Sequence, residues 1–408
     1  MRRVTGVLDV LDSAAVRRWT DLSVDLLEDC RAELDRINVF PVADSDTGTN
    51  LVLTVRAAAD AVARGGAGRT GPDGEAPVGT VAAAAADGAL RGARGNSGVI
   101  VSQLFRGVAE VLLTGGATGL TGPALAEALN RSDELARAAV SSPVEGTVLT
   151  VLRGAAESAT AVVDGAAVVD GAVVRAAAGG AATLGAVAAA AVRGAREALT
   201  DTPRLLPVLA RAGVVDAGGY GVLLLLRALL AVVEQQRPVR AAEPVEALAQ
   251  VAGGHRGWER ERDALVGERE GGSTRYEYEV MYLLTESTPG RVARLRARLD
   301  ELGDSVALVG SGGLSVGARG GSTPSGRGEP PGDEVWNVHV HCTDVGAAIE
   351  AGVMAGRPRR ITVVRFTDQA DPNRPDGAGR FVHARGVVAL VGAPSLSELV
   401  AVDGVSVL

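Results

Sequence analysis

Apolar residues recur three and four positions apart through 15–37, 50–64, 97–113, 123–139, 147–163, 183–199 and 218–235, the spacing that lines one face of a helix. Clusters of Gly, Pro, Asp, Ser and Thr separate them, as in "RGGAGRTGPDGEAP" (64–77) and "TGGATGLTGP" (114–123), and read as loops. Strand signals are scarce over 1–236, so this region is expected to be all-helical. The pattern then changes. Residues 237–274 are charged and glycine-bearing and read as a linker. "RYEYEVMYLL" (275–284) alternates like a strand, "RVARLRARLDEL" (291–302) has helical spacing, and "SVALVG" and "LSVGA" read as strands flanking a glycine turn. "VWNVHVH" (335–341) alternates again, "DVGAAIEAGVM" (344–354) is helical, and "RITVVRF" (360–366) is a strand. The order β-α-β-β-α-β over 275–366 is that of a ferredoxin-like split motif. The insert 319–333 is too rich in Gly, Pro and Ser to pack. Residues 367–408 read as a loop followed by strand, turn, short helix and strand, a unit too small to bury its own core.

Composition narrows the function. Among 408 residues, 47% are apolar but only 3% aromatic, so Ala, Val, Leu and Gly must pack helices closely through small contact residues. The net charge of −8 offers no basic footprint for nucleic acid. Cys30 and Cys342 lie far apart, which suits a reduced cytosol and not a disulfide scaffold. No signal peptide is read at the start. The nearest approach to a membrane span, 221–233, is short and interrupted by Arg227, so a soluble cytoplasmic protein is expected. The chain contains no lysine; all 41 basic side chains are arginines. That excludes a P-loop, a protein kinase and Schiff-base chemistry, each of which needs a lysine.

Four glycine-containing loops lead into helices: "NVFPVADSDTGTN" (38–50), "RGNSG" (94–98), "SPVEGT" (142–147) and "VVDAGGYG" (214–221). Converging helix N-termini form an anion pocket without lysine, because their first N–H groups are unpaired and carry partial positive charge. Asp44 and Asp46 stand one residue apart and repel unless something positive sits between them. With the side-chain carbonyl of Asn38 they offer hard oxygen ligands for Mg²⁺. Singly, each loop reads equally as a capped turn. In the second region His339 and His341 share one face of a strand, where both imidazoles could bind one metal or simply form a solvated edge.

The strings "NVFPVADSDTGTN", "GARGNSGVIVSQ", "SPVEGTVLTV" and "AGVVDAGGYG" resemble, in order and spacing, the signature segments of the bacterial fatty acid kinase large subunit. Its N-terminal domain is the nucleotide-binding domain of dihydroxyacetone kinases. The resemblance covers about residues 5–236; 275–366 resembles that family's middle domain, and the tail from 385 only the opening of its C-terminal domain. It implies an all-α helical barrel (1–236) that binds ATP through two Mg²⁺ ions, a linker (237–274), an α+β middle domain (275–366), and a linker with a truncated C-terminal start (367–408). By position, Asp44 and Asp46 would be catalytic metal ligands, with Asn38 where dihydroxyacetone kinases use a third aspartate. Thr47, Gly48, Thr49 and Asn50 would line the phosphates, Asn96 and Ser97 would make Gly-rich phosphate contacts, Gly146 and Thr147 would form the third loop, and Asp216 and Gly218 would close over the nucleotide. Ser45 departs from the family's usual glycine. A family cysteine joins the two histidines at a zinc site, and its place here is taken by Glu279. Cys342 should point to the opposite face, and His255 and His383 receive no role.

The implied reaction is phosphorylation of the carboxylate of a fatty acid carried by a separate acyl-binding protein. A carboxylate needs no general base, which accords with the lack of histidine in 1–236. Alternatives are a dihydroxyacetone or other small-substrate kinase and a non-catalytic nucleotide-binding scaffold. The oligomeric state stays open, homodimer included.

Overall fold

A computed structural model describes residues 6–41, 45–65, 76–114, 118–169, 172–175, 182–236, 275–312, 334–366, 388–389 and 406–407. Asp44, the linker 237–274, "LSVGA", the insert 319–333, His255 and His383 lie outside them. The helical part comprises α1 (Ser13–Arg36), α2 (Thr47–Gly65), α3 (Val78–Gly92), α4 (Gly95–Thr114), α5 (Gly122–Ala139), α6 (Val148–Val163), α7 (Leu184–Leu205), α8 (Pro207–Ala212) and α9 (Ala217–Val233). From α1 to α7 each helix packs on the next, α7 packs on α9, and α9 returns to α1.

Of the 17 residues of α9, 15 are buried, which explains its lack of amphipathic contrast. Leu223 to Leu226 are almost fully enclosed, each burial stabilising by roughly 1.5–3 kcal/mol. The Trp19 indole N–H donates to the Leu225 carbonyl at 2.9 Å, tying α1 to α9. Small residues bring the helices together as the composition predicts: a Cβ on Gly194 of α7 would lie 2.2 Å from the Gly154 carbonyl oxygen of α6.

Two features escape the periodicity. In α3, "VGTVAAAAADGALRG", 11 of 15 residues are buried; alanine fits any side of a crowded helix, so no polar stripe marks it. A hairpin, β1 (Ala166–Val169) and β2 (Ala172–Arg175), follows α6. The expected all-helical region is therefore mostly, not wholly, helical.

The second part runs β3 (Tyr278–Thr285), α10 (Pro289–Leu302), β4 (Gly303–Gly310), β5 (Trp336–Cys342), α11 (Val345–Ala355) and β6 (Arg357–Arg365). Its antiparallel sheet has the order β4-β5-β3-β6. Both helices cover one face, where Val280, Tyr282, Leu284, Val338, Val340 and Cys342 form a core. Cys342 thus lies away from the histidines, as strand alternation requires. The other face packs on the helical part through Met281, Ala307 and Val309 against Leu90, Ala93, Val99 and Ala139. Asn337 Nδ2 donates to the Leu90 carbonyl at 3.0 Å, and Arg106 Nη1 to the Gly310 carbonyl at 2.8 Å.

Met1–Gln369 forms one compact unit and Ala370–Leu408 another. In the latter, the described β7 (Val388–Ala389) and β8 (Ser406–Val407) pair in parallel. One helix, α4 and not 221–233, is long and apolar enough to cross a membrane, and 67% of its apolar window is buried inside the fold.

Candidate functional site

Three helix N-termini open onto one cleft of about 660 Å³. Asn96 and Ser97 come from α4, Thr147 and Val148 from α6, and Asp216 and Gly218 from α9. Phe40 and Pro41, in the loop before α2, form an edge. Local sequence explains the convergence. Thr147 caps α6 by accepting from Leu149 N–H, and its hydroxyl donates to the Val144 carbonyl at 2.7 Å. Gly146 turns the chain at φ +83°, a conformation open to glycine. Asp216 caps α9, accepting from Gly219 N–H at 2.7 Å.

Among the described residues lining this cleft there is no lysine, arginine or histidine. Helix N-termini therefore supply its positive potential. Asn96 Oδ1 is buried without a hydrogen-bond partner among the described residues; a ligand hydroxyl, amino group or metal-bound water would satisfy it.

Burial pushes the Asp216 carboxyl up to about 7, against bonds from the Gly219 and Val148 amides. Its folded-state value lies above the unfolded one, so between roughly pH 4 and pH 7 the folded chain keeps a proton that the unfolded chain has released. Stability from this group is complete below that window and is lost as pH rises through it. Asp216→Asn should flatten the decline, gaining on wild type by at most about 4 kcal/mol between pH 4 and pH 7.5. Urea midpoints of the ligand-free protein across that range measure it, and parallel curves would place the proton elsewhere.

The start of α2 is built differently from expectation. Thr49 donates from its amide and its hydroxyl to the Asp35 carboxylate of α1, both at 2.9 Å. A Cβ on Gly48 would lie 2.4 Å from the Arg31 carbonyl oxygen. Gly48 and Thr49 thus fasten α2 to α1, and neither lines the cleft among its described residues. Thr47 is buried, Asn38 is 4% exposed beyond the end of α1, and Asp46 stands half-buried just before α2. Asp35 escapes the sequence reading, because an Asp late in a helix carries no special signal; burial pushes its carboxyl up against the Thr49 and Gly48 bonds. Ser45 adopts φ +56°, which strains any residue with a Cβ. Ser45→Gly should therefore stabilise by up to about 1 kcal/mol, read as a raised melting temperature; a lowered one would contradict the strain.

The sheet closes the cleft from the other side. The register of β4 on β5 shifts between Asp304 and Ala307, and Ser305 in this bulge has φ +53°. Asp304, Ser305 and Val306 consequently line the cleft with Asp300 and Gly303. No motif marks these residues, since they belong to the other part of the chain.

Behind the bulge, one ligand atom from each of Glu279, His339 and His341 lies within 4.8 Å of the others. His339 Nδ1 lies 2.9 Å from the Ser305 carbonyl oxygen and must donate to it. Its Nε2 then presents a lone pair 2.9 Å from Glu279 Oε1, so a cation, proton or metal, must sit between them. Burial opposes charge on Glu279, but the His339 bond and the His339, His341 and Arg94 charges outweigh it and hold the carboxyl below its ordinary value. Burial pushes His341 down, leaving it a neutral nitrogen donor; its Nδ1 lies 3.5 Å from Asp304 Oδ1. The cluster adjoins the helical part: a Cβ on Gly95 would lie 2.7 Å from Asn50 Nδ2 and 3.8 Å from Glu279 Oε1.

Residues 41–184 and 168–231 match the DAK2 domain, and residues 331–372 match the FakA-like middle domain of fatty acid kinases. The chain belongs to the FakA-like family of fatty acid kinase proteins. It is 38% identical over 198 residues to protein YloV of Bacillus subtilis, covering 48% of this chain and 31% of YloV. It is 29% identical over 339 residues to an uncharacterized protein of Staphylococcus epidermidis, covering 82% of this chain and 52% of that protein. An uncharacterized Staphylococcus saprophyticus protein is 37% identical over 188 residues, covering 46% of this chain and 30% of that protein. The chain thus spans about half or less of the length of these relatives. The two domain matches support a kinase-type nucleotide-binding role and a partner in a fatty acid kinase system.

Proposed function

We propose that this chain is an ATP-dependent kinase subunit of the cytoplasm that phosphorylates the carboxylate of a fatty acid presented by an acyl-binding partner protein. The helical part would be a barrel of the dihydroxyacetone kinase type, and the sheet with its two helices a ferredoxin-like domain. The observation that carries the reading is the cleft itself, where three helix N-termini converge without any cationic side chain among the described lining residues.

Apolar walls at Phe40, Ile100 and Leu149 suit a base, and the N-terminal amides of α4, α6 and α9 suit phosphate oxygens. Two Mg²⁺ ions would be held by Asp44, Asp46 and Asn38, and would neutralise charge on the transferring phosphoryl group. The acceptor carboxylate is already a nucleophile, so the protein needs only to position it and exclude water. The Glu279, His339 and His341 donors, with His339 oriented by the Ser305 carbonyl, fit Zn²⁺ in a structural role.

The test is ATP turnover with a long-chain fatty acid, with and without a co-purified acyl-binding partner, trapping acyl phosphate as its hydroxamate. Partner-dependent hydroxamate is expected. ATP turnover that responds instead to a small polyol or ketose, without the partner, would replace the reading.

A further inference from the structure

We infer that Arg296, on α10 of the sheet part, is a positioning residue for the third loop of the cleft; the inference rests on reading that cleft as the nucleotide site. The guanidinium reaches across the junction between the two parts. Nη1 donates to the Ala139 carbonyl at 3.2 Å and the Ser141 hydroxyl at 3.3 Å. Nη2 donates to the Ala138 carbonyl at 3.3 Å and to the Leu308 carbonyl of β4 at 2.9 Å. Ala138 and Ala139 end α5, where the last carbonyls have no intrahelical partner and carry partial negative charge. A cation with a planar fork of donors satisfies both needs at once.

The chain leaving α5 is then joined to β4. Val140 bridges Ala307 in antiparallel fashion, and Ser141 N–H donates to the Val306 carbonyl at 3.0 Å. Residues 140–141 thus run as a short added strand beside the β4 bulge. The segment that continues from them, Ser142 to Thr147, lines the cleft and caps α6. Whatever fixes 138–141 fixes where the α6 N-terminus points. Arg296 holds both sides of this seam, whereas Arg298 on the same helix is exposed and pairs with Glu301 at 2.7 Å. Burial pushes the Arg296 guanidinium down from its usual range, in keeping with a cation held among carbonyls. Its position on a different domain hides this role from the sequence.

The experiment follows amide hydrogen exchange and ADP·Mg²⁺ titration calorimetry on the full chain. Arg296→Ala should raise exchange at Ser141 and Gly146 about tenfold and weaken ADP about tenfold, the effect of losing charge-assisted hydrogen bonds. Amides of β3 and β5 should stay protected. Arg296→Lys should fall between, since an ammonium cannot span the same acceptors, and Arg298→Ala should change neither readout. Wild-type exchange at Ser141 and Gly146 in Arg296→Ala, with β3 and β5 protected, would overturn the assignment. Should the alanine variant lose protection in β3 and β5, Arg296→Gln decides by the same comparison. If the wild-type chain fails to bind ADP, the nucleotide reading falls, while exchange still decides whether Arg296 holds the loop.

Discussion

Asp46→Ala is expected to lower phosphoryl transfer by about a hundredfold or more, with the fold intact. The carboxylate stands half-buried immediately before α2, and Asn50 N–H bonds to its backbone carbonyl, which alanine keeps. What the substitution removes is a hard oxygen ligand for Mg²⁺, and loss of such charge stabilisation typically raises a barrier by on the order of 3 kcal/mol. Asp44→Ala should act alike. Steady-state rates at saturating Mg²⁺, with a melting curve for each variant, make the measurement. Near wild-type turnover in either variant would remove that aspartate from the mechanism.

His339→Ala is expected to destabilise by about 3–5 kcal/mol, because it strands the Glu279 carboxylate in the interior without its partner. His339 is 1% exposed and Glu279 12%, so solvent cannot replace the lost bond. Glu279→Gln in the same background should recover part of the loss by removing the buried charge. Elemental analysis of untagged protein separates the two cations that could sit in the cluster. One zinc per chain, lost in a His339→Ala/His341→Ala double variant, is the expected result. Sub-stoichiometric zinc in both would mean that a proton holds the pair.

Much of the architecture is legible in the sequence because it depends on local rules. Helix spacing marks α1, α2 and α4 to α7, and strand alternation puts His339 and His341 on one face with Cys342 on the other. The cleft-facing loops are legible for a similar reason: caps such as Thr147 and Asp216 are chemical signs of a helix start. What stays hidden depends on tertiary context. The alanines of α3 carry no period when every side is buried. Gly48 and Thr49 look like phosphate ligands, yet Asp35, 14 residues before Thr49, takes the Thr49 amide and hydroxyl. The contribution of Asp304 and Ser305 arises from a bulge that forms only when β4 pairs with β5. Glu279 joins the histidines through family resemblance, since one glutamate in an alternating strand has no mark of its own.

The central claim is that the cleft binds a nucleotide through helix N-termini and Mg²⁺. Calorimetric titration of the wild-type chain with ADP, in Mg²⁺ and then in EDTA, tests it most directly. The account predicts one site per chain, saturable in Mg²⁺, weakened by about tenfold or more in EDTA, and likewise weakened in Asp46→Ala. Absence of binding in Mg²⁺, or binding equally tight in EDTA and in Asp46→Ala, would contradict it.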